Sequence, residues 1–346
     1  MTGGAHPSRL TRAAGGYGER VSTPDPVVGD LTEGEILAGI LDRLAPSRAL
    51  LGPGDDAAVL AVPGGRIVAS VDTLVHGPDF RLAWSSATDL GWKAAAVNLA
   101  DIAAMGARPT ALLVALAMPD TTPVSFVHQL ADGLRSACDE LAPGATVEGG
   151  DLTVSDTLTI AVTALGVLEG VEPVTRSGAQ PGDVVAVCGA MGEAARGLSL
   201  LFERFRVDGR PVPVSGLTEA DVALVGAQLR PRPPIAFGAV AAAHGATAMM
   251  DVSDGLALDA GRIARASRVT IELRADALGQ DPATALAGGE DHALLATFPA
   301  ARGPAPGFRL VGAVHARGDH PLLVDGEPYR GRSGWDPYRD WDSASG

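Results

Sequence analysis

Two cysteines, one lysine and only 4% aromatic residues in a chain of 346 already remove several classes of protein. Cys138 and Cys188 are too few and too far apart for a disulfide framework or a thiolate zinc site, and both read as small core residues. No apolar run reaches the ~18 residues that a bilayer-spanning helix needs. The first residues also lack the charged-then-apolar layout of a secretory signal, so a cytoplasmic location without a membrane partner is expected. Basic residues are in deficit, 27 against 41 acidic, and the net charge of −14 argues against nucleic acid as a partner. Lys93 stands alone among 26 arginines, a bias that reads as genomic composition and carries little functional weight. Missing too are GxxxxGK[ST] and the protein-kinase signatures, which excludes those two kinds of nucleotide site.

What is present is ample apolar material, 46% of the chain, over a length typical of two domains. Residues 1–29 are rich in Gly, Pro, Ser and Arg and read as a flexible leader. Thr32 and Glu35 fit a capping box ahead of an amphipathic helix that Pro46 ends. Strands are expected at Ile67–Val71, Ala111–Ala117 and Thr157–Leu168, with helices at Ala87–Met105, closed by Gly106, and Val124–Leu141. The turn-rich stretch Val171–Asp183 is the candidate boundary. Beyond it come strands at Val184–Val187, near Ala248, and at Val269–Leu273, Ala293–Phe298 and Leu310–Val314. Helices are expected at Glu193–Phe205, Thr218–Leu229, Pro234–His244 and Leu256–Ala266. The expected division is a leader at 1–29, α/β domains of the α+β type at 30–170 and 171–330, and a mobile tail at 331–346. No repeat of 20–50 residues is visible.

Carboxylates recur beside glycines at the ends of apolar elements. They occur in GPGDDA (52–57), SVDT (70–73), NLAD (98–101), EGGD (148–151), DVSDG (251–255) and GGED (288–291). Hard divalent cations take oxygen ligands, and magnesium commonly combines one or two carboxylates with phosphate oxygens and water. Each motif also has an ordinary reading. Adjacent aspartates cap helices, Gly-Gly-Asp and Gly-Gly-Glu make turns, and Ser253 with Asp254 can cap the helix that follows. Asn98 and Asp101 lie three apart on one face of an otherwise apolar helix. The stretch Val185–Gly197 offers a strand-to-helix turn to an anion, although ordinary packing is the simpler account. Six such motifs in one chain point to several cations serving a phosphorylated substrate.

Taken in order, GPGDDAAVL, SVDTLV, KAAAVNLADIAAMGA, EGGD, TRSGAQPGD, MDVSDGLALD and GGEDHALL closely resemble the thiamine-monophosphate kinases, in the superfamily typified by aminoimidazole ribonucleotide synthetase. The resemblance spans about Leu31 to Asp336. It implies a two-domain α/β fold pairing as a homodimer through its N-terminal domains. The implied reaction is ATP-dependent phosphorylation of thiamine monophosphate to thiamine diphosphate. By motif position, magnesium ligands fall at Asp56, Asp72, Asp101, Asp151, Asp251 and Asp254, with Asp55 and Ser70 contributing. ATP contacts fall at Gly150, Asp151, Arg176 and Ser253, and thiamine contacts at Glu290 and Trp335. Asp254, Asp151 and Arg176 are the residues expected to carry catalysis. The family commonly has a histidine then an aromatic where this chain has Asp79 then Phe80, and often a tyrosine where it has Trp335.

A phosphate monoester acceptor has a second pKa of about 6, so its attacking oxygen is already deprotonated near neutrality and no strong general base is needed. The expectation is direct transfer with Arg176 as a fixed positive fork. The rivals are another ATP-using enzyme of the superfamily and a catalytically silent nucleotide or cation binder. Selenophosphate synthetase is disfavoured because no cysteine precedes Cys138.

Overall fold

Apart from Met1, the computed structural model describes residues 58–62 and 65–335. The leader, the helix expected after Thr32, and Asp55 and Asp56 lie outside the described residues. Strands β1 (Ala58–Val62) and β2 (Gly65–Val75) form an antiparallel hairpin. Helix α1 (Ala87–Ala104), β3 (Arg108–Met118), α2 (Val124–Leu141), β4 (Thr146–Val154) and β5 (Thr159–Val167) follow. The sheet order is β1-β2-β5-β3-β4, with only the β3–β4 pair parallel. That pair needs a crossover, and α2 supplies it.

The second half builds a seven-stranded sheet. Its elements are β6 (Asp183–Cys188), α3 (Glu193–Arg204), the short β7 (Arg206–Val207) and β8 (Arg210–Pro211), α4 (Glu219–Leu229) and α5 (Ile235–Ala243). Then come β9 (Ala248–Val252), α6 (Leu256–Ser267), β10 (Val269–Leu273), α7 (Pro282–Ala287), β11 (Ala293–Pro299), β12 (Arg309–Ala316), β13 (Leu322–Val324) and β14 (Glu327–Pro328). The order is β14-β13-β10-β12-β6-β11-β9. The result is a mixed α/β fold in two sheet-based halves, and none of its described helices is long and apolar enough to cross a membrane.

Helix α1 joins the halves. Ser86 and Asp89 form a reciprocal capping box at its start, and Gly106 at φ 75 follows its C-cap. Fifteen of its eighteen residues are buried, as expected of a helix that is apolar all round. One side packs on α2 and the first sheet, while the other meets α5, β9 and β11 of the second half. Its alanines permit the close approach, and β9, which ends its sheet, is thereby covered rather than left as an open edge. Leu99 is fully buried at this centre, so truncating it to alanine is expected to cost about 2–5 kcal/mol. Two indoles stitch the halves together: Trp92 Nε1 donates to Pro231 O at 2.8 Å and Trp84 Nε1 to Phe205 O at 3.2 Å.

Three expectations need correction. EGGD is no turn but part of β4, a strand exposed along its whole length at the sheet edge. Residues 331–335 are docked rather than mobile, because Leu258 N donates to Ser333 O and Trp335 N to Asp254 O, both at 2.9 Å. Ser253 and Asp254 do not cap α6, whose N-cap is Gly255 with no side-chain hydrogen bond. Cys138 and Cys188 are buried as expected, and burial pushes both thiols up to about 11.

Candidate active site

The even-numbered residues of β2 face α1, and here the NLAD spacing acquires a purpose. Asp101 accepts from Ser70 Oγ at 2.6 Å, and one turn earlier Asn98 Oδ1 accepts from Asp72 N at 3.0 Å. Asn98 Nδ2 in turn donates to Ala94 O at 2.9 Å. A helical step of three residues is thus matched to a strand step of two, fixing where both aspartates stand.

From the second half, β9 delivers Asp251, which is 2% exposed, and the β9–α6 turn delivers Ser253 and Asp254. The loop before β11 delivers Glu290, Asp291 and His292, with Glu290 and His292 both in the left-handed region at φ 73 and 52. Such conformations cost free energy and persist when neighbours over-determine them. Each of the three residues is indeed held by a different element. Asp291 accepts from Gly192 N at 2.6 Å and Ala194 N at 2.9 Å, closing the start of α3. The anion that the Val185–Gly197 turn accommodates is therefore the chain's own carboxylate. His292 Nδ1 bonds Asp251 Oδ2 at 2.9 Å, and Glu290 pairs with Lys93 on α1.

The acidic loops do converge across the halves. Asp72 keeps some solvent access, yet its crowded surroundings, reinforced by the charges of Asp251, Asp254 and Glu290, push its carboxyl up to about 6 against the opposing pull of His292. Burial likewise raises Asp254 despite Arg262, and Asp251 and Glu290 add to the shift. A group of acids that resist sharing their charge fits a divalent cation, which relieves that repulsion. Among the described residues no three acidic, histidine or cysteine side chains form a ready-made ion cage, and substrate phosphates are the natural remaining ligands.

Beside this cluster lies a cavity of about 300 Å³ lined by residues of both halves, among them Asp79, Lys93, Ser253, Glu290 and Trp335. Asp79 Oδ2 accepts from Val75 N at 2.7 Å, and burial raises its pKa. Phe80, Trp84 and Phe202 give the cavity an apolar wall, with Trp84 and Phe202 packed edge-on at 5.0 Å. An aromatic, partly polar ligand with a phosphate at one end would match a pocket that opens beside carboxylates.

Three expected residues stand elsewhere. The register Asp72–Val162–Val114–Gly150 runs straight across the sheet. Gly150 is thus three strands from Asp72, about 14 Å at the usual strand spacing, and Asp151 emerges on the face turned away from α1. Gly150 has its own steric reason to be glycine, because a Cβ there would lie 1.8 Å from Val114 O. Arg176 sits in the loop between the sheets, its carbonyl accepting from Ser267 Oγ at 2.8 Å.

The residues that sequence reading missed are the bases. Asp251 has His292, Asp254 has Arg262 and Glu290 has Lys93, the lysine set aside as compositional. Its burial in an apolar helix was the available signal.

Comparison with known proteins agrees with this geometry. The family model described as AIR synthase related protein, N-terminal domain, matches residues 54–168, and the C-terminal domain model matches 180–303. A thiamine-monophosphate kinase of Mycobacterium tuberculosis is 42% identical over 340 residues, covering 93% of this chain and 96% of that protein. The chain belongs to the thiamine-monophosphate kinase family. Among solved structures, AaThiL complexed with AMPPCP and TMP superposes with a TM-score of 0.79 at 30% identity, covering 91% of this chain and 99% of that one. The thiamine-monophosphate kinase of Stenotrophomonas maltophilia K279a gives 0.66 at 33% identity, covering 86% and 96%.

Proposed function

We propose that this chain transfers the γ-phosphoryl group of ATP to thiamine monophosphate, producing thiamine diphosphate and ADP. The observation that carries the reading is the juxtaposition of Asp72, Asp251 and Asp254 with the aromatic cavity, in a member of a family with this activity.

The acceptor's phosphate supplies the nucleophile. One of its oxygens forms the new bond to Pγ while the bond from Pγ to the β-bridging oxygen breaks, and ADP departs with that electron pair. Near neutral pH the attacking oxygen carries no proton, so the protein's task is alignment and charge neutralisation. Magnesium would be held by Asp72, Asp101, Asp251 and Asp254, with Asp55, Asp56 and Ser70 assigned by motif. When bound, it would neutralise phosphate charge and supply Lewis-acid stabilisation to the transferring phosphoryl group. Glu290, Asp79 and Trp335 orient the thiamine end, Ser253 links the cavity to the phosphates, and Arg176 is assigned to ATP through its motif alone.

Gly150 and Asp151 enter this reading through their motif alone. Homodimer formation through the N-terminal sheet is the arrangement that would cover them. Val71 and Leu113 are exposed on the sheet face turned away from α1, and Leu152 and Val154 on the opposite face of the edge strand β4, apolar surface that favours burial against another copy. On this reading residues 30–170 and 171–330 are the two domains, and dependence on ATP places the enzyme in the cytoplasm.

A coupled ADP-release assay tests the assignment. Thiamine monophosphate should trigger magnesium-dependent ADP release with stoichiometric thiamine diphosphate, and thiamine or unrelated phosphate esters should not. Equal release with every acceptor, or none with thiamine monophosphate, would overturn it.

A further inference from the structure

Helix α6 begins without the usual cap. Gly255 occupies the N-cap at φ 136, and Asp259, one turn inside the helix and fully buried, reaches back so that its Oδ2 accepts from Asp254 N and Gly255 N, both at 3.3 Å. Its other oxygen accepts from Arg262 Nη1 at 2.6 Å. The same Nη1 donates to Asp254 Oδ2, also at 2.6 Å. Trp335 N holds the Asp254 carbonyl from the opposite side at 2.9 Å. Asp254 is therefore tied at its amide, its carbonyl and one carboxylate oxygen.

We propose that Arg262 is a positioning residue that, by holding Oδ2, fixes the Asp254 carboxylate in place for the divalent cation. The inference rests on the reading of Asp254 as a cation ligand. A flexible carboxylate would have to be ordered when the cation arrives, whereas this one is ordered already. Hydrogen bonds to ligating carboxylates are worth roughly 10–100-fold in metal affinity. Charge alone predicts the reverse sign, because removing a guanidinium from among Asp72, Asp251, Asp254 and Glu290 makes the cluster more negative and more attractive to a cation. The sign of the change therefore separates positioning from simple electrostatics.

The test is a titration of Mn²⁺ into the full chain with AMPPCP, followed by electron paramagnetic resonance, on wild type, Arg262→Gln, Arg262→Lys and Asp254→Asn. Arg262→Gln should weaken Mn²⁺ binding by at least tenfold. Arg262→Lys should stay within about threefold of wild type, because both contacts come from a single nitrogen that one ammonium can replace. Unchanged or tighter binding by Arg262→Gln would overturn the proposal, and so would a lysine variant that binds tenfold more weakly than wild type. Should the glutamine variant not fold, the lysine result decides alone. If Asp254→Asn binds Mn²⁺ as wild type does, the ligand reading itself fails. If Asp254→Asn is weakened and Arg262→Gln is not, only the positioning role is lost.

Discussion

The ammonium of Lys93, on the helix that joins the two halves, meets the carboxylate of Glu290 at the wall of the cavity. Gln228 completes the contact when its amide oxygen faces Lys93 Nζ at 3.2 Å and its nitrogen donates to Ala194 O at 3.1 Å. Burial would raise Glu290, but Lys93 and His292 hold its carboxyl below the usual range. One ion pair thus shapes the pocket and ties one half of the molecule to the other.

Replacing Lys93 with methionine leaves Glu290 without its cation. The loss should be about 2 kcal/mol, between the ranges for exposed and buried pairs because Glu290 retains solvent access. Chemical denaturation would measure it, and KM for thiamine monophosphate should rise more than kcat falls. Since Glu290 lies below its ordinary pKa, the pair's contribution is present above that ordinary value and disappears as the pH drops through the lowered one.

Asp72 should behave in the opposite way. Its carboxyl is raised from 3.8 to about 6, so the folded protein binds more protons than the unfolded chain between those values, and stability contributed by Asp72 is lost as pH rises through that window. In chelator at pH 7.5, Asp72→Asn is expected to raise stability by about 1 kcal/mol after allowing for solvent screening. The gain should vanish near pH 4, and activity should collapse. Thermal melts at the two pH values check this.

His292 adds a second pH dependence of the same sign. Burial would lower it, but its hydrogen bond to Asp251 and the charges of Asp251 and Glu290 raise it above the usual histidine range. Its stabilisation is complete below the unfolded pKa and is lost as pH rises through the folded one. Metal-free protein should therefore melt lower at pH 9 than at pH 6, and His292→Gln should flatten that slope. Melting curves in chelator across this range provide the measurement.

The acidic motifs were legible because glycines and apolar runs frame them, and the helix expected at Val124–Leu141 has those ends in the structure. The β4 strand was not, since Thr146–Val154 is exposed throughout and shows no alternation between buried and open positions. Helix α7, only six residues long, is too short for periodicity to register. Arg262 and His292 escaped notice because a single base has no local signature, and Lys93 because its place in an apolar helix was passed over. Each takes its meaning from a carboxylate that only the folded chain brings near. The capping of α6 was misjudged for the same reason: Asp259 reached back to do what Ser253 and Asp254 were expected to do.

Trp335 links the docked C-terminal segment to the cavity through the hydrogen bond that its backbone N–H donates to Asp254 O. Trp335→Ala should raise KM for thiamine monophosphate about tenfold, near 1.4 kcal/mol, while Trp335→Phe keeps most of the affinity. KM for ATP should change little in either variant. Steady-state kinetics with each substrate varied in turn would show it.

The central claim is that carboxylates of both halves grip the cation that lets two anionic substrates meet. Crystals grown with Mn²⁺, AMPPCP and thiamine monophosphate test it through anomalous scattering. The account predicts manganese peaks contacted by Asp72 from the first half and by Asp251 or Asp254 from the second, with the thiamine rings against Trp335 and Glu290. Peaks bound by one half alone, with Asp72 or both second-half aspartates facing only water, would contradict it.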